Sequence, residues 1–335
     1  MRKGFNPHKN IRQEVSEYIH QVIIPVCIPN EEEYFKDSFR IFQLCLDSLF
    51  ATTHDKTFIT IINNGSTSKV LTYLNELLKA QKIHEVIHTH NIGKLNAILK
   101  GLVGNNIKIV TISDADVLFC PNWQKETIKI FNRIPKAGVV GLVPQFKMYE
   151  SNCGNIIFDN FFSNKLKFIP VKNPSALIRF YESIGWDYNY NKDYLAYSLG
   201  YQTDDLTVYV GSGHFVATYK RDIFDKITSF IGYKMGGSSE DYLDKAPLKK
   251  GYWRLTTYDN YAYHMGNVYE DWMQIESSNQ NESEKLYADF NKNTDVNFFS
   301  YFIKNRFLVK LISVNLLMKW FLKFKKLPNA MIEKY

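Results

Sequence analysis

Ile107-Lys108-Ile109-Val110-Thr111-Ile112-Ser113-Asp114-Ala115-Asp116 is the stretch on which the fold turns. Its first six residues are mostly β-branched and apolar, as in a strand buried on both faces. The run stops at Ser113 and two carboxylates one residue apart. Asp114 and Asp116 at a strand end can both reach one divalent cation or its water shell. Hard oxygen ligands suit Mg²⁺ or Mn²⁺, ions that also bind a diphosphate. Taken alone, the triplet also reads as a strand-end turn with a helix cap, so the flanking segments decide.

Upstream, strand-like and helix-like segments alternate. Residues 22–28 form an apolar run that ends at Pro29, and 38–51 carry Phe39, Phe42, Leu46, Leu49 and Phe50 at helical spacing. Residues 58–62 are strand-like and stop at Asn63-Asn64-Gly65-Ser66, a turn signal. Ser66 or Thr67 is a candidate cap for the next helix, where Val70, Leu71, Leu74, Leu77 and Leu78 share a face. A brief strand is expected at 86–88 and a helix at 94–102. Downstream of Asp116, 123–134 return as helix and 137–143 as strand. Residues 149–201 are less regular, with 189–193 a loop, and 207–219 and 253–264 are strand-like.

The alternation implies an α/β fold, a mostly parallel sheet with helices on both faces. Ligands of such sheets bind beyond the carboxyl ends of the strands. Three polar clusters fall there: Pro29-Asn30-Glu31, Asn63-Asn64-Gly65-Ser66 and Asp114-Ala115-Asp116. Their convergence follows from the strand pattern alone.

The ordered set of motifs resembles the GT-A-fold (Rossmann-like) nucleotide-sugar glycosyltransferases of the family 2 type. It comprises Ile28-Pro29-Asn30, Asn63-Asn64-Gly65-Ser66, Gly93-Lys94-Leu95-Asn96-Ala97, Asp114-Ala115-Asp116, Gly211-Ser212-Gly213-His214-Phe215 and Ser239-Glu240-Asp241, spread over residues 22–267. The resemblance implies that Pro29, Asn30, Glu32 and Asn64 face the nucleoside of the donor. It implies that Asp114, Ala115 and Asp116 face its diphosphate, with Asp114 and Asp116 on Mn²⁺ or Mg²⁺. Asn64 stands where the family often has Asp; an amide donates and accepts, whereas a carboxylate only accepts. Lys94 is a candidate phosphate contact and Asn96 a support of the donor pocket, against a solvated lysine and a helix-start amide.

Glu240-Asp241 resembles the family's acidic pair beside the acceptor. A sugar hydroxyl needs its proton removed as it attacks, and Asp241 is the expected base, with Glu240 orienting it or the acceptor. Serines followed by acids are also a helix-capping pattern. His264, in Tyr263-His264-Met265-Gly266-Asn267, is a candidate third metal ligand, against a structural histidine. His214 is read as a pocket residue, its flanking glycines allowing close backbone approach.

Composition bounds the rest. The 335 residues are 45% hydrophobic and 22% charged, a globular balance. Net charge is +7, with much of the surplus near the C-terminus rather than in a stripe suited to nucleic acid. Four cysteines, Cys27, Cys45, Cys120 and Cys153, are too scattered for a disulfide framework or zinc site. No apolar leader precedes His20, and no run of about 18 uncharged apolar residues suggests a membrane span. Residues 297–326 mix phenylalanines and Trp320 with lysines, as an interfacial helix would; a helix packed on the catalytic domain is the alternative.

The expected organisation is an extension at 1–20, a catalytic domain at 21–270 with a donor half (21–145) and an acceptor half (146–270), and a C-terminal helical segment at 271–335. The expected activity is metal-dependent, inverting, single transfer of a sugar from a nucleotide-diphosphate donor to a saccharide or lipid-linked saccharide, as in bacterial surface glycan synthesis. The expected location is cytoplasmic, with an anionic membrane surface at the inner face of the cell membrane as a candidate partner. Rivals are a retaining enzyme of the same fold and a non-catalytic glycan- or membrane-binding protein. A nucleotidyltransferase would carry a Gly-rich basic loop after the first strand, and residues 27–34 have none. A processive synthase would carry membrane spans and a Q-x-x-R-W-type motif, whereas Trp253-Arg254 has the order reversed. No G-x-S-x-G elbow or Walker loop occurs.

Overall fold

The computed structural model describes residues 4–6, 8–12, 16–236, 240–274, 290, 292–293 and 295–335. A ten-stranded sheet runs through the molecule. Its first strands are β1 (His20–Val26), β2 (Thr57–Asn64), β3 (Glu85–Thr89) and β4 (Ile109–Ser113). They lie in the order β3-β2-β1-β4 and all pair parallel. Helices α1 (Ser38–Thr52), α2 (Ser68–Lys79) and α3 (Lys94–Leu102) form the crossovers. The period of two along β1 divides its side chains between faces. Val22, Ile24 and Val26 pack with α1 and α2, whereas Ile23 packs with α3.

A short strand, β5 (Val117–Phe119), and helix α4 (Trp123–Arg133) lead into β6 (Ala137–Gly141). Residues 149–201 hold more regular structure than their Asn- and Tyr-rich composition suggests: α5 (Gly154–Asp159), β7 (Leu166–Pro170), α6 (Pro174–Ser183) and β8 (Tyr197–Gln202). The single strand expected at 207–219 is two, β9 (Thr207–Val210) and β10 (Val216–Lys220). The break is at Gly211, whose φ is +99° and where a Cβ would lie 2.5 Å from Met148 Cβ. Likewise 253–264 divide, after α7 (Asp241–Lys249), into β11 (Trp253–Thr257) and β12 (Ala262–His264). The full order is β3-β2-β1-β4-β10-β6-β11-β9-β8-β7, with β12 and β5 paired separately. Strands β1 to β4 are thus parallel, β11 is parallel to β6, and β10 and the β7–β9 meander add antiparallel pairs.

The expected Ser66 or Thr67 side-chain cap on α2 is absent: Thr67 holds the cap position, but its hydroxyl makes no cap bond. Ser66 Oγ instead accepts from Ile28 N at 3.0 Å, tying together the loops after β1 and β2.

The C-terminal segment is helical: α8 (Phe298–Phe302), a π-turn, α9 (Leu308–Ile312), α10 (Asn315–Phe324) and α11 (Asn329–Ile332). Phe321, Leu322 and Leu327 are buried in the core beneath α4, α5 and β11. Among the described residues, no helix is long and apolar enough to cross a membrane.

Candidate active site

Sheet register builds the site. Antiparallel β10 sets Val216 opposite Ser113 of β4, and Asp114 N donates to Phe215 O at 2.7 Å. The Gly211–Phe215 turn therefore lies beside the Asp-x-Asp triplet. Antiparallel β12 sets His264 opposite Val117 of β5, and Met265 N donates to Asp116 O at 2.8 Å. That register carries His264 Nε2 to 3.4 Å from Asp116 Oδ2.

The three side chains expected to share a metal divide into two pairs. Asp114 is taken by Lys94, whose Nζ lies 2.7 Å from Oδ1 and 2.9 Å from Oδ2. Asp116 faces His264 instead. Among the described residues, no three His, Cys, Asp or Glu side chains come together closely enough to hold a metal by themselves. The Asp116–His264 pair nevertheless fits a cation. Ser183 Oγ donates to Phe180 O at 2.7 Å, so its contact of 3.0 Å with His264 Nδ1 is accepted from an Nδ1–H. That tautomer leaves a lone pair on Nε2, directed at a carboxylate. Asp116 Oδ1 is buried and makes no hydrogen bond among the described residues. Burial pushes the Asp116 carboxyl above its ordinary range.

Lys94 opens α3 directly after Gly93. It also reaches Glu240 Oε1 at 3.5 Å. Burial disfavours its ammonium, but Asp114 and Glu240 outweigh burial and hold the pKa above the ordinary value. His214 Nε2 lies 2.8 Å from Glu240 Oε2, and Nδ1 lies 3.9 Å from Asp244 Oδ2. Burial opposes protonation of His214, yet the bond to Glu240 prevails and raises its pKa. The same bond, with Lys94, lowers the Glu240 pKa to about 2. Asp244 pairs with the buried Arg254 at 2.5 Å, and Arg254 also donates to Ser212 O. Carboxylates and cations thus alternate continuously from Asp114 to Arg254.

The two expected acceptor-side acids part company. Glu240 points into the cluster, whereas Asp241 pairs with Lys245 at 2.5 Å one turn along α7, its side chain 44% exposed. The reason is helical geometry: Glu240 and Asp244, four residues apart, share the inward face, and Asp241 does not. Ser239 lies outside the described residues.

The remaining expected donor residues fall into two groups. Pro29, Asn30 and Glu32 are exposed on the rim after β1, where Asn30 Oδ1 accepts from Glu32 N at 3.1 Å. Asn64 and Asn96 brace backbone. Asn64 is buried and its Oδ1 accepts from Ile92 N at 2.9 Å. Asn96 donates to the carbonyls of Ile92 and Ile231 and accepts from Ile231 N, pinning segment 231–236. That segment crosses Gly93, whose φ is +91° and where a Cβ would meet Lys234 Cα at 2.8 Å. Ala115 is half-buried between the two carboxylates.

Beside the charged chain is a cavity of about 350 Å³, whose walls include Phe146, Phe180, Ile184, His214, Asp244 and His264. Small-ligand sites generally span about 300–1,000 Å³. Ser183, Asp244 and Arg254 were missed in the sequence. A lone arginine inside the otherwise uncharged strand Trp253-Arg254-Leu255-Thr256-Thr257 was the available signal, because a buried charge demands a partner.

Glycosyl transferase family 2 matches residues 22–228, so the chain belongs to that family. It is 27% identical over 136 residues, 40% of each chain, to an uncharacterized glycosyltransferase of Haemophilus influenzae. Among solved structures, residues 1–349 of TarS from S. aureus align with a TM-score of 0.42 and 13% identity, over 73% of this chain and 59% of that one. The mannosyltransferase PcManGT of Pyrobaculum calidifontis, solved with GDP-Man and Mn²⁺, aligns at 0.41 and 16%, over 75% and 59%. The chain thus spans less than two thirds of the length of each of these relatives.

Proposed function

We propose that this glycosyltransferase moves a sugar from a nucleotide-diphosphate donor to a saccharide hydroxyl with inversion, assisted by Mn²⁺ or Mg²⁺. The observation that carries this reading is the pairing of Asp114 with Lys94, itself near Glu240, and of Asp116 with His264, on the two carboxylates that follow β4 and beside the cavity. Asp116 and His264 would hold the cation, with donor phosphates completing its shell, as suits an ion that binds one or two carboxylates plus phosphates. When bound, the cation would stabilise charge developing on the leaving diphosphate.

Lys94 supplies a second positive group for the same charge. Glu240 is the better candidate for the general base, because it faces the cluster while Asp241 faces Lys245. With a pKa of about 2 it is ionised and ready to accept a proton, but weakly basic. Moving Lys94 onto a donor phosphate would remove one of the cations that hold that pKa down. His214 orients the carboxylate, and Asp244 with Arg254 fixes His214 and the Gly211–Phe215 turn. We assign Pro29, Asn30 and Glu32 to the nucleoside side and the cavity to the sugar side.

Donor turnover measured across UDP-, GDP- and dTDP-sugars, with and without EDTA, tests the reading, and the first-formed product anomer by NMR tests inversion. Turnover unchanged in excess EDTA overturns the metal role. A separate check is thermal: Mn²⁺ should raise the melting temperature of the wild type and leave Asp116→Asn unmoved. The metal-free variant should melt no lower than the wild type, since the amide removes the charge of a carboxylate whose buried Oδ1 has no hydrogen-bond partner among the described residues.

A further inference from the structure

We propose that α10 and the turn after α5 together form a docking surface for an anionic lipid bilayer. Leu316, Trp320 and Phe324 recur every fourth residue along α10 and are 77%, 51% and 40% exposed. Phe162, on the turn after α5, is 88% exposed. The two elements make one aromatic surface. Trp320 and Phe324 stack with centroids 5.1 Å apart and planes 6° from parallel. Phe161 stacks on both at 5.9 and 5.7 Å, and Phe162 meets Phe324 at 6.4 Å.

This surface is mounted rigidly. Lys325 is buried and its ammonium donates to the carbonyls of Asn160, Phe161 and Ser163, clamping the turn to the end of α10. Phe321 and Leu322 turn the other face of α10 into the core. The exposed row therefore has a fixed outward direction.

Charge selects the occupant. From residue 297 onward the chain carries seven lysines and Arg306 against the single carboxylate Glu333, so this segment alone accounts for the net charge of +7. Lys323 and Lys326 are exposed beside the aromatic row. A second copy of the chain would set lysines against lysines. A bilayer with anionic headgroups receives both features, since Phe and Trp enter the interface while lysines meet headgroups. A helix of ten residues is about 15 Å long, enough to lie in the interface but not to span it. The inference does not depend on the transfer reaction; if that reading also holds, the surface would bring the site to lipid-borne acceptors.

Sedimentation of the full chain with vesicles of equal phosphatidylglycerol and phosphatidylcholine, and with phosphatidylcholine alone, tests it. The wild type should pellet with the anionic vesicles, at least about tenfold more weakly with neutral ones, and lose binding in about 0.5 M NaCl, where screening is short. Phe162→Ser/Trp320→Ser/Phe324→Ser should lose about tenfold or more in binding with its melting temperature unchanged. Should that variant melt lower, Lys323→Glu/Lys326→Glu carries the test, with the same loss expected. Wild-type protein that stays in the supernatant, or variants that bind as the wild type does, overturns the proposal. Light scattering that shows a wild-type dimer lost in the aromatic variant, with vesicle binding unaltered, also overturns it and assigns the surface to a second copy.

Discussion

At the residue scale, the adjacent acids Glu240 and Asp241 show how a one-residue step changes chemistry. Glu240→Gln should depress sugar transfer by about 10²–10⁴-fold, the usual cost of removing a general base, whereas Asp241→Asn should stay within about threefold of wild type. Initial rates on the same donor and acceptor decide it, and the reverse ranking would restore Asp241 as the base. The His214–Glu240 pair also sets a pH window. The pKa of His214 is raised from 6.5, so its stabilising contribution is full below that value and fades as pH rises through the folded pKa. The pKa of Glu240 is lowered from 4.5 to about 2, so its contribution is full above 4.5 and fades as pH falls toward 2. Maximum benefit lies between about 4.5 and 6.5. In His214→Gln the decline of melting temperature above pH 6.5 should flatten, and the Glu240 carboxyl should titrate higher by carbon-13 NMR. A Glu240 titration unmoved by the substitution would show that His214 does not hold it.

At the scale of elements, the site depends on two antiparallel additions to a parallel sheet. β10 delivers the His214 turn to Asp114, and β12 delivers His264 to Asp116. The loop before α3 is held by Asn64 and Asn96 and is crossed by segment 231–236, which rests on Gly93. Gly93→Ala forces a β-carbon against the Lys234 backbone at a positive φ, a strain of about 1–3 kcal/mol. The segment should shift and Lys94 with it. The expected result is a modest loss of melting temperature and a larger loss of donor turnover, read from denaturation and initial rates on one preparation. Full activity in the variant would mean that the contact with Lys234 has no part in positioning Lys94.

At the scale of the molecule, the C-terminal helices belong to the fold as well as to its surface. Removal of the chain after Asn293 should therefore damage the fold and not only the surface. Phe321, Leu322 and Leu327 are each at most 3% exposed. Losing them forfeits roughly 5–9 kcal/mol of burial at about 1.5–3 kcal/mol each, against a typical domain stability of about 5–15 kcal/mol. The Lys325 carbonyl also accepts from Phe168 N at 2.7 Å along the edge strand β7, so truncation uncovers a strand edge. The truncated chain should aggregate or melt at least about 10 °C lower. Unchanged melting would return the segment to the status of a separable tail.

Local, periodic features were legible in the order of residues alone. The alternation of β-branched runs with amphipathic helices specified the parallel strands β1 to β4, and α3 was expected at 94–102, where it is found, because propensity and spacing act over a few residues. The convergence of the loops after β1, β2 and β4 followed from that pattern. Tertiary structure decided which side chains meet across long separations. His214 reaches Glu240, His264 reaches Asp116 and Arg254 finds Asp244 through strand register and helix face, and no local pattern encodes either. The same holds for α10. Its sequence shows apolar and basic residues on a helix, but only packing distinguishes the Phe321 that faces the core from the Trp320 beside it that faces outward.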